Sequence, residues 1–165
     1  MKLRSLIAVA FGGIISFGVM STANADDLGK KGTFSGQIGL VAVSENVMVM
    51  AENHLYIVGK YAGASTNSSG SGFLQNMAWA CGGTTEIVDG VPTGIGYCTV
   101  TDQDGDQISG QWSCTGGVED CDQYFNIGGT GKYKGMQSHN KFKLAFIGST
   151  GSLNSFLWDG AYTIP

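Results

Sequence analysis

The chain has 165 residues, 27 of them glycine, and carries 13 acidic against 9 basic side chains, for a net charge of −4 at pH 7. This length is enough for one domain that buries its own core. The acidic balance argues against nucleic acid as a partner, because phosphate binding needs clustered basic residues.

The first 25 residues have the pattern of a signal peptide. Lys2 and Arg4 give a positive start, residues 6–20 are almost wholly apolar or small, and Ala23–Ala25 has the small-x-small form of a cleavage site. We expect cleavage after Ala25 and a secreted or periplasmic protein, and the short positive start favours a bacterial exporter. A membrane anchor is the less favoured alternative, because the apolar run is short for a span. The mature part then has seven basic and 13 acidic residues, and so a net charge of −6. Within it, no segment is apolar enough to span a membrane as a helix.

After residue 25, short runs rich in Val, Ile, Tyr, Phe and Thr alternate with Gly, Asn, Asp and Ser, which is the pattern of β-strands. Strands are predicted at residues 32–43, 47–51, 54–62, 72–80, 94–101, 107–114, 122–127, 132–136, 140–148 and 156–164. Loops are predicted at residues 63–71, 82–93 and 115–120.

So many short strands must protect their edges, and a closed barrel does so completely. We therefore predict an all-β fold in which residues 26–165 form one antiparallel barrel of about eight strands; a two-sheet sandwich is the alternative. Glycines within the predicted strands favour the barrel, because strands bend sharply at barrel corners; they are Gly36, Gly39, Gly59, Gly96 and Gly110.

The four cysteines all lie in the mature part, and an even number in an exported chain indicates two disulfides. Three pairings are possible. We favour Cys81–Cys98 with Cys114–Cys121, because each closes a local loop. A zinc site is less expected, since the spacings are not C-x-x-C pairs, and a catalytic thiol would need an unpaired cysteine.

Residues 128–135 read GGTGKYKG, a string that suits a tight corner between strands because glycine tolerates positive φ and close backbone approach. The string resembles the turn-and-strand signature of the dirigent and allene oxide cyclase barrels, with looser support from residues 32–36 and 158–162. The resemblance implies a calycin-like, eight-stranded antiparallel barrel with an apolar cavity, often a homo-oligomer. It also implies a structural role for the string, with Gly128, Gly129 and Gly131 in the turn and Tyr133 and Gly135 in packing.

The dirigent and allene oxide cyclase group controls the stereochemistry of phenoxy-radical coupling or cyclises a fatty-acid epoxide. The carboxylates that serve those reactions have no matched positions here, so the resemblance assigns no catalytic residue. We expect no cofactor.

Three alternating aspartates, Asp102, Asp104 and Asp106, are the sharpest polar cluster. Alternate carboxylates can converge on Ca²⁺. However, the glycine stands at the fourth place rather than the sixth, and Ser113 occupies the place of the bidentate glutamate. We favour a hairpin turn at Asp104-Gly105, because Asp-Gly is a strong hairpin signal.

Aromatic residues could line a cavity inside the barrel, although filling of a solid core is the simpler interpretation. The ligand-binding candidates are Tyr56, Trp79, Tyr97, Trp112, Phe146 and Trp158.

The favoured function is binding of a small apolar or aromatic molecule, which the barrel could steer or isomerise without a cofactor. The alternative is a non-catalytic interaction protein, such as an inhibitor, adhesin or envelope component, that acts through rim loops at residues 82–93 and 115–120.

Overall fold

The structure, a computed structural model, describes residues 28–117, 119–148 and 153–165. The predicted signal peptide, residues 1–25, lies outside the described residues. A short 3-10 helix at Gly131–Tyr133 accompanies eight strands: β1 Lys31–Ala51, β2 His54–Asn67, β3 Met77–Val88, β4 Val91–Thr101, β5 Gln107–Cys114, β6 Cys121–Gly129, β7 Gln137–Ile147 and β8 Leu153–Thr163. Across the described ranges, no helix has the length and hydrophobicity that crossing a membrane requires.

Each strand pairs antiparallel with the next, and β8 returns to pair with β1, from Lys31 opposite Thr163 to Val41 opposite Leu153. The sheet is therefore a closed up-and-down barrel, which confirms the predicted fold and leaves no free edge. Because the strand direction alternates, the β1–β2, β3–β4, β5–β6 and β7–β8 connections lie at one end, which we call the mouth. The β2–β3, β4–β5 and β6–β7 connections lie at the other, which we call the base.

Two predicted boundaries were wrong near the mouth. The predicted strands at 32–43 and 47–51 form the single strand β1, which continues past a register shift between Ala42 and Ser44. The predicted loop at 82–93 is instead the β3–β4 hairpin, with Asp89 and Gly90 at φ 50° and 80° in its turn. Both central residues have the positive φ of a two-residue hairpin turn, for which Asp-Gly is a preferred pair.

Two more predictions were wrong near the base. The strand predicted at 72–80 begins only at Met77, because residues 68–76 form an irregular connection. The strand predicted at 132–136 is instead a 3-10 turn, in which Tyr133 N–H donates to the Thr130 carbonyl at 2.9 Å.

The base half of the barrel is solidly packed around Phe73, which the β2–β3 connection inserts between the strands. The Phe73 ring contacts the rings of Phe34, Phe125, Tyr133 and Tyr162, with centroids 5.0 to 5.9 Å apart. Beside it, Leu74 is fully buried, and its carbonyl accepts the Ser65 hydroxyl at 2.7 Å. The connection therefore fills the base of the barrel.

Both disulfides join neighbouring strands. Cys81–Cys98 links β3 to β4 at directly paired positions, and Cys114–Cys121 links the mouth ends of β5 and β6. The favoured pairing is confirmed. Two structural disulfides are compatible with a secreted protein, because they persist in oxidising compartments.

Candidate ligand-binding cavity

A cavity of about 200 Å³ occupies the mouth half of the barrel. All eight strands contribute to its wall, and most of the contributing side chains are apolar. The lining residues are Ile38, Leu40, Tyr61, Trp79, Cys81, Thr85, Pro92, Thr93, Gly94, Cys98, Trp112, Cys114, Gln123, Phe142, Leu144, Ile147, Asn154, Phe156 and Trp158.

Inward positions of β3 and β4 in this half of the barrel carry small residues. Alternation turns Cys81 and Gly83 of β3 and Gly94, Gly96 and Cys98 of β4 toward the interior. The Trp112 indole of β5 lies against this glycine patch. A Cβ atom on Gly83 would lie 2.5 Å from Trp112 Cζ2, and one on Gly96 would lie 2.5 Å from Trp112 Nε1.

Two tryptophans form the floor of the cavity, where it meets the packed base. Trp158 packs against Phe34 with ring centroids 5.1 Å apart, and Trp79 packs against Phe125 at 5.7 Å. The Trp79 Nε1–H donates to Ser65 Oγ at 2.9 Å, so its polar atom is satisfied within the protein. This contact fixes the indole of Trp79 from behind.

Two of the lining residues carry a side-chain polar atom that is inaccessible to solvent and has no hydrogen-bond partner among the described residues. The atoms are Nε2 of Gln123 on β6 and Nε1 of Trp158 on β8. Gln123 is 5% exposed and Trp158 is 4% exposed, so bulk water does not satisfy them. Buried polar groups are almost always hydrogen-bonded, either to protein or to ordered water.

A tyrosine–carboxylate pair borders the cavity on β1 and β2. The Tyr61 hydroxyl donates to Glu45 Oε1 at 2.8 Å. Burial, together with the Glu45 carboxylate, raises the pKa of Tyr61 to about 12. The phenol therefore stays protonated at physiological pH and directs its proton to Glu45 rather than into the cavity.

Three of the six aromatic candidates, Trp79, Trp112 and Trp158, line this cavity. The other three, which are Tyr56, Tyr97 and Phe146, are not among its lining residues.

Strand geometry explains two of these placements. Tyr97 is 61% exposed because its neighbour Cys98 takes the inward position. Phe146 is 55% exposed because a register shift between Leu144 and Phe146 ends the simple alternation, and Ile147 lines the cavity instead.

Sequence reasoning missed Gln123 and Tyr61. A usable signal existed for Gln123, since alternation puts it on the same strand face as Cys121 and Phe125, a disulfide cysteine and a large apolar residue. A glutamine between two such positions is a buried polar residue, and that is where the structure places it.

The aspartate cluster forms the β4–β5 turn, with Gly105 at φ 87°. Asp102 Oδ1 accepts the backbone N–H groups of Asp104 and Asp106 at 2.9 and 3.0 Å. The Lys132 ammonium lies 2.7 Å from the carboxylates of both Asp102 and Asp104. These carboxylates thus have a lysine as their cationic partner.

The GGTGKYKG string builds the corner beside this turn. Gly131 and Gly135 have φ of 48° and 76°, and the Gly131 Cα faces the Asp106 carboxylate too closely for a side chain. Gly129 approaches the Tyr133 backbone in the same way, whereas Gly128 is an exposed residue of β6 with open space around it.

The barrel resembles two solved structures of pterocarpan synthase dirigent proteins. The alignment with PsPTS1 covers 81% of this chain and 95% of that one, and the alignment with GePTS1 covers 82% and 92%. In both, the TM-score is 0.51 and the sequence identity is 11%. The barrel has a dirigent-like fold. At the level of sequence, no protein-family model and no curated protein matches the chain.

Proposed function

We propose that the protein acts outside the cytoplasm and binds a small apolar or aromatic molecule in the mouth half of its barrel, where it steers that molecule without a cofactor. The observation that carries the proposal is the unequal filling of the barrel. The base is packed around Phe73, yet the mouth half keeps a cavity of about 200 Å³ with a mostly apolar wall. The signal-peptide pattern and the two disulfides support export.

The size of the cavity limits the ligand. An apolar cavity of about 150 Å³ holds benzene, so one of about 200 Å³ suits a molecule of one or two rings. A wall built from eight hydrogen-bonded strands changes shape little, and it would therefore hold such a ligand in few orientations. Restricting orientation is how a site without reactive groups can still direct the course of a reaction. The two structural neighbours are described as pterocarpan synthases, so a small-molecule reaction is known for this fold.

The test is a thermal-unfolding series with benzene, indane and naphthalene, using the mature chain. A ligand that binds only the folded state stabilises it by about 2.7 kcal/mol at one hundred times its Kd. We expect at least one of the three to raise Tm. The Leu144→Trp variant should lose the response, because Leu144 lines the cavity and the larger ring fills it.

The matched control is Leu157→Trp, on the outer face of the neighbouring strand β8 and 43% exposed. It should respond like the wild type. If none of the three hydrocarbons raises the Tm of the wild-type protein, or if both variants respond equally, the cavity is not the binding site.

Exposed apolar residues at the mouth favour the second candidate function, interaction with a partner through the barrel rim. Val49 and Met50 near the β1–β2 turn are 76% and 59% exposed, and Val88 and Val91 at the β3–β4 turn are 44% and 51% exposed. A rim-binding partner should be captured by the wild type and lost when both Val88 and Val91 are changed to Lys. Unchanged capture by that double variant would exclude these residues as the contact.

A further inference from the structure

We infer that the ligand is an aromatic amine, whose ring occupies the cavity and whose protonated nitrogen meets the Glu45 carboxylate at the border of the cavity. The inference rests on the proposed function, because it names the class of small aromatic molecule that the same cavity takes. It predicts a ligand with one or two rings and a short chain that carries an ammonium group.

The pairing of the strands places Glu45 at the level of the cavity. Glu45 stands opposite Gly59 of β2, and Gly59 stands opposite Gly83 of β3. Two positions from Gly59 toward the base, Tyr61 lines the cavity, and two positions from Gly83 toward the mouth, Thr85 lines it. Residues two apart share a strand face, and directly opposed residues share it too. Glu45 therefore lies on the inner face, between two levels of the barrel that line the cavity.

A direct contact connects Glu45 to the lining. The Tyr61 hydroxyl donates to Glu45 Oε1 at 2.8 Å, and its ring ends over Gly59, where a Cβ would lie 2.4 Å from the hydroxyl oxygen. The Trp112 indole covers the neighbouring Gly83, where a Cβ would lie 2.5 Å from Trp112 Cζ2. Opposed Cβ positions are about 5 Å apart, so the Tyr61 hydroxyl and the Trp112 indole lie within about 10 Å of each other. A ligand whose ring contacts Trp112 thus needs only a short chain to reach the carboxylate.

The Glu45 carboxylate has no cationic partner among the described residues. By contrast, Asp102 and Asp122 each have a lysine ammonium within 2.8 Å. Glu45 is also exposed, and the pairing of β1 with β8 ends before it, at Val41. A cation that binds there keeps part of its hydration, so it avoids the large desolvation cost of a buried ion pair.

The rest of the wall favours an aromatic cation over an anion. None of the described residues that line the cavity is charged. An anionic ligand would lose hydration without gaining a counter-charge, and Glu45 would repel it. The faces of aromatic rings attract cations, and the rings of Tyr61 and Trp112 lie beside the carboxylate.

The experiment compares three probes that have the same ring and nearly equal size, by isothermal titration calorimetry of the mature protein. 2-Phenylethylamine carries an ammonium group, 2-phenylethanol a neutral hydroxyl and 3-phenylpropanoate a carboxylate. Without a contribution from Glu45 the alcohol would bind most tightly, because it loses the least hydration. We expect the amine to bind roughly five-fold more tightly than the alcohol, as an exposed ion pair of about 1 kcal/mol gives, and the propanoate to bind more weakly than both.

Two variants of equal charge connect this preference to the contact. Glu45→Gln keeps the size of the side chain and an acceptor for the Tyr61 hydroxyl, so it should weaken amine binding roughly five-fold and leave the alcohol unchanged. The matched control is Glu52→Gln, an exposed residue of the β1–β2 turn. It lies about 20 Å farther along the chain, beyond the screening length of about 8 Å at physiological salt, and should change neither affinity.

Three outcomes overturn the inference. If the alcohol binds the wild type as tightly as the amine, the ligand needs no cation. If Glu45→Gln weakens the amine and the alcohol equally, the Glu45 side chain acts through the shape of the wall. If Glu52→Gln weakens the amine as much as Glu45→Gln does, the preference comes from the net charge of the protein.

The hydrocarbon series separates failure of the inference from failure of the proposed function. If benzene, indane or naphthalene raises Tm but the amine has no advantage over the alcohol, the inference alone fails. If none of the hydrocarbons and none of the three probes binds, the proposed function fails together with it.

Discussion

At the residue scale, Asp102 joins two turns at the base of the barrel, and the cation that it contacts is the ammonium group of Lys132. Its carboxylate accepts two backbone N–H groups, the Tyr133 hydroxyl at 3.0 Å and the Lys132 ammonium at 2.7 Å. Burial by itself would raise the pKa of Asp102, but the hydrogen bonds from Lys132 and Tyr133 outweigh it and hold the pKa below its ordinary value. One carboxylate therefore ties the β4–β5 turn to the corner after β6.

We predict that Asp102→Asn lowers the free energy of unfolding by about 2 kcal/mol at pH 7, because hydrogen bonds to a charged group contribute about 1.5–3 kcal/mol. The folded pKa of Asp102 is depressed, so its contribution is present above the unfolded pKa of about 3.9. It is lost as pH falls through the folded pKa, and the difference between wild type and variant should shrink below about pH 4. Urea unfolding at several pH values measures both effects.

Asp104→Asn is the control for this prediction. Asp104 shares Lys132 but is 57% exposed, and exposed ion pairs contribute about 0–1 kcal/mol. Equal losses from the two variants would show that the turn does not depend on the Asp102 carboxylate.

At the element scale, glycines within strands have a role beyond bending. They stand opposite large inward side chains, so that an aromatic ring from one strand contacts the backbone of another. Trp158 lies over Gly36 in this way, and Trp112 lies over Gly83 and Gly96. Each glycine thus leaves the space that a tryptophan from another strand occupies.

Gly83→Ala should therefore destabilise the protein by about 1–3 kcal/mol, because overpacking forces neighbouring groups to move. The new Cβ would lie 2.5 Å from both Trp112 Cζ2 and the Ile95 carbonyl oxygen, and a backbone oxygen cannot rotate away. Urea unfolding of the variant measures the loss.

Gly128→Ala in β6 provides the comparison, since no described atom outside its chain neighbours lies within 4 Å of the point that a Cβ would occupy there. It should change the stability by less than about 1 kcal/mol in either direction. A loss from Gly128→Ala that matches the Gly83→Ala loss would contradict the packing argument.

Strand prediction from the sequence succeeded where local signals agreed with the final pairing. Residues 107–114 were predicted as a strand and form β5, because an aspartate-rich turn and a disulfide cysteine bound that run. The strand that contains Phe146 was predicted too, but the face of its side chain was not, because the register shift in β7 depends on pairing with β8. Strand prediction failed at residues 132–136, where β-type residues form a 3-10 turn because Tyr133 is drawn into the base to meet Asp102.

At the scale of the whole molecule, closure of the barrel followed from the number and spacing of strands, but the position of the cavity did not. Which half stays open depends on the β2–β3 connection, residues 68–76, which places Phe73 and Leu74 inside the base. Such a long-range packing choice has no periodic signature in the sequence. The three tryptophans are large aromatic residues, and such residues either line a cavity or fill a core. Only the structure separates these two roles.

The barrel thus divides stability and binding between its halves. The base holds most of the fully buried large side chains, among them Phe73, Leu74, Val100, Ile108 and Phe125. The mouth half gives up that packing and keeps a space bounded by half-buried residues such as Leu144 and Phe156. Larger side chains that filled the mouth half would increase the stability of the fold. The open space therefore lowers stability, as ligand-binding sites commonly do.

This division predicts unequal effects of truncating one large side chain in each half. Phe73→Ala should lower the free energy of unfolding by about 3–5 kcal/mol, because it opens a new cavity in a region where Phe73 is only 2% exposed. Leu144→Ala should cost less than about 2 kcal/mol, since it enlarges a cavity that already exists and removes fewer contacts. Urea unfolding gives both values, and titration with indane should show changed affinity for Leu144→Ala and unchanged affinity for the folded fraction of Phe73→Ala. Comparable stability losses, or an affinity change only in Phe73→Ala, would mean that the two halves form one continuous core.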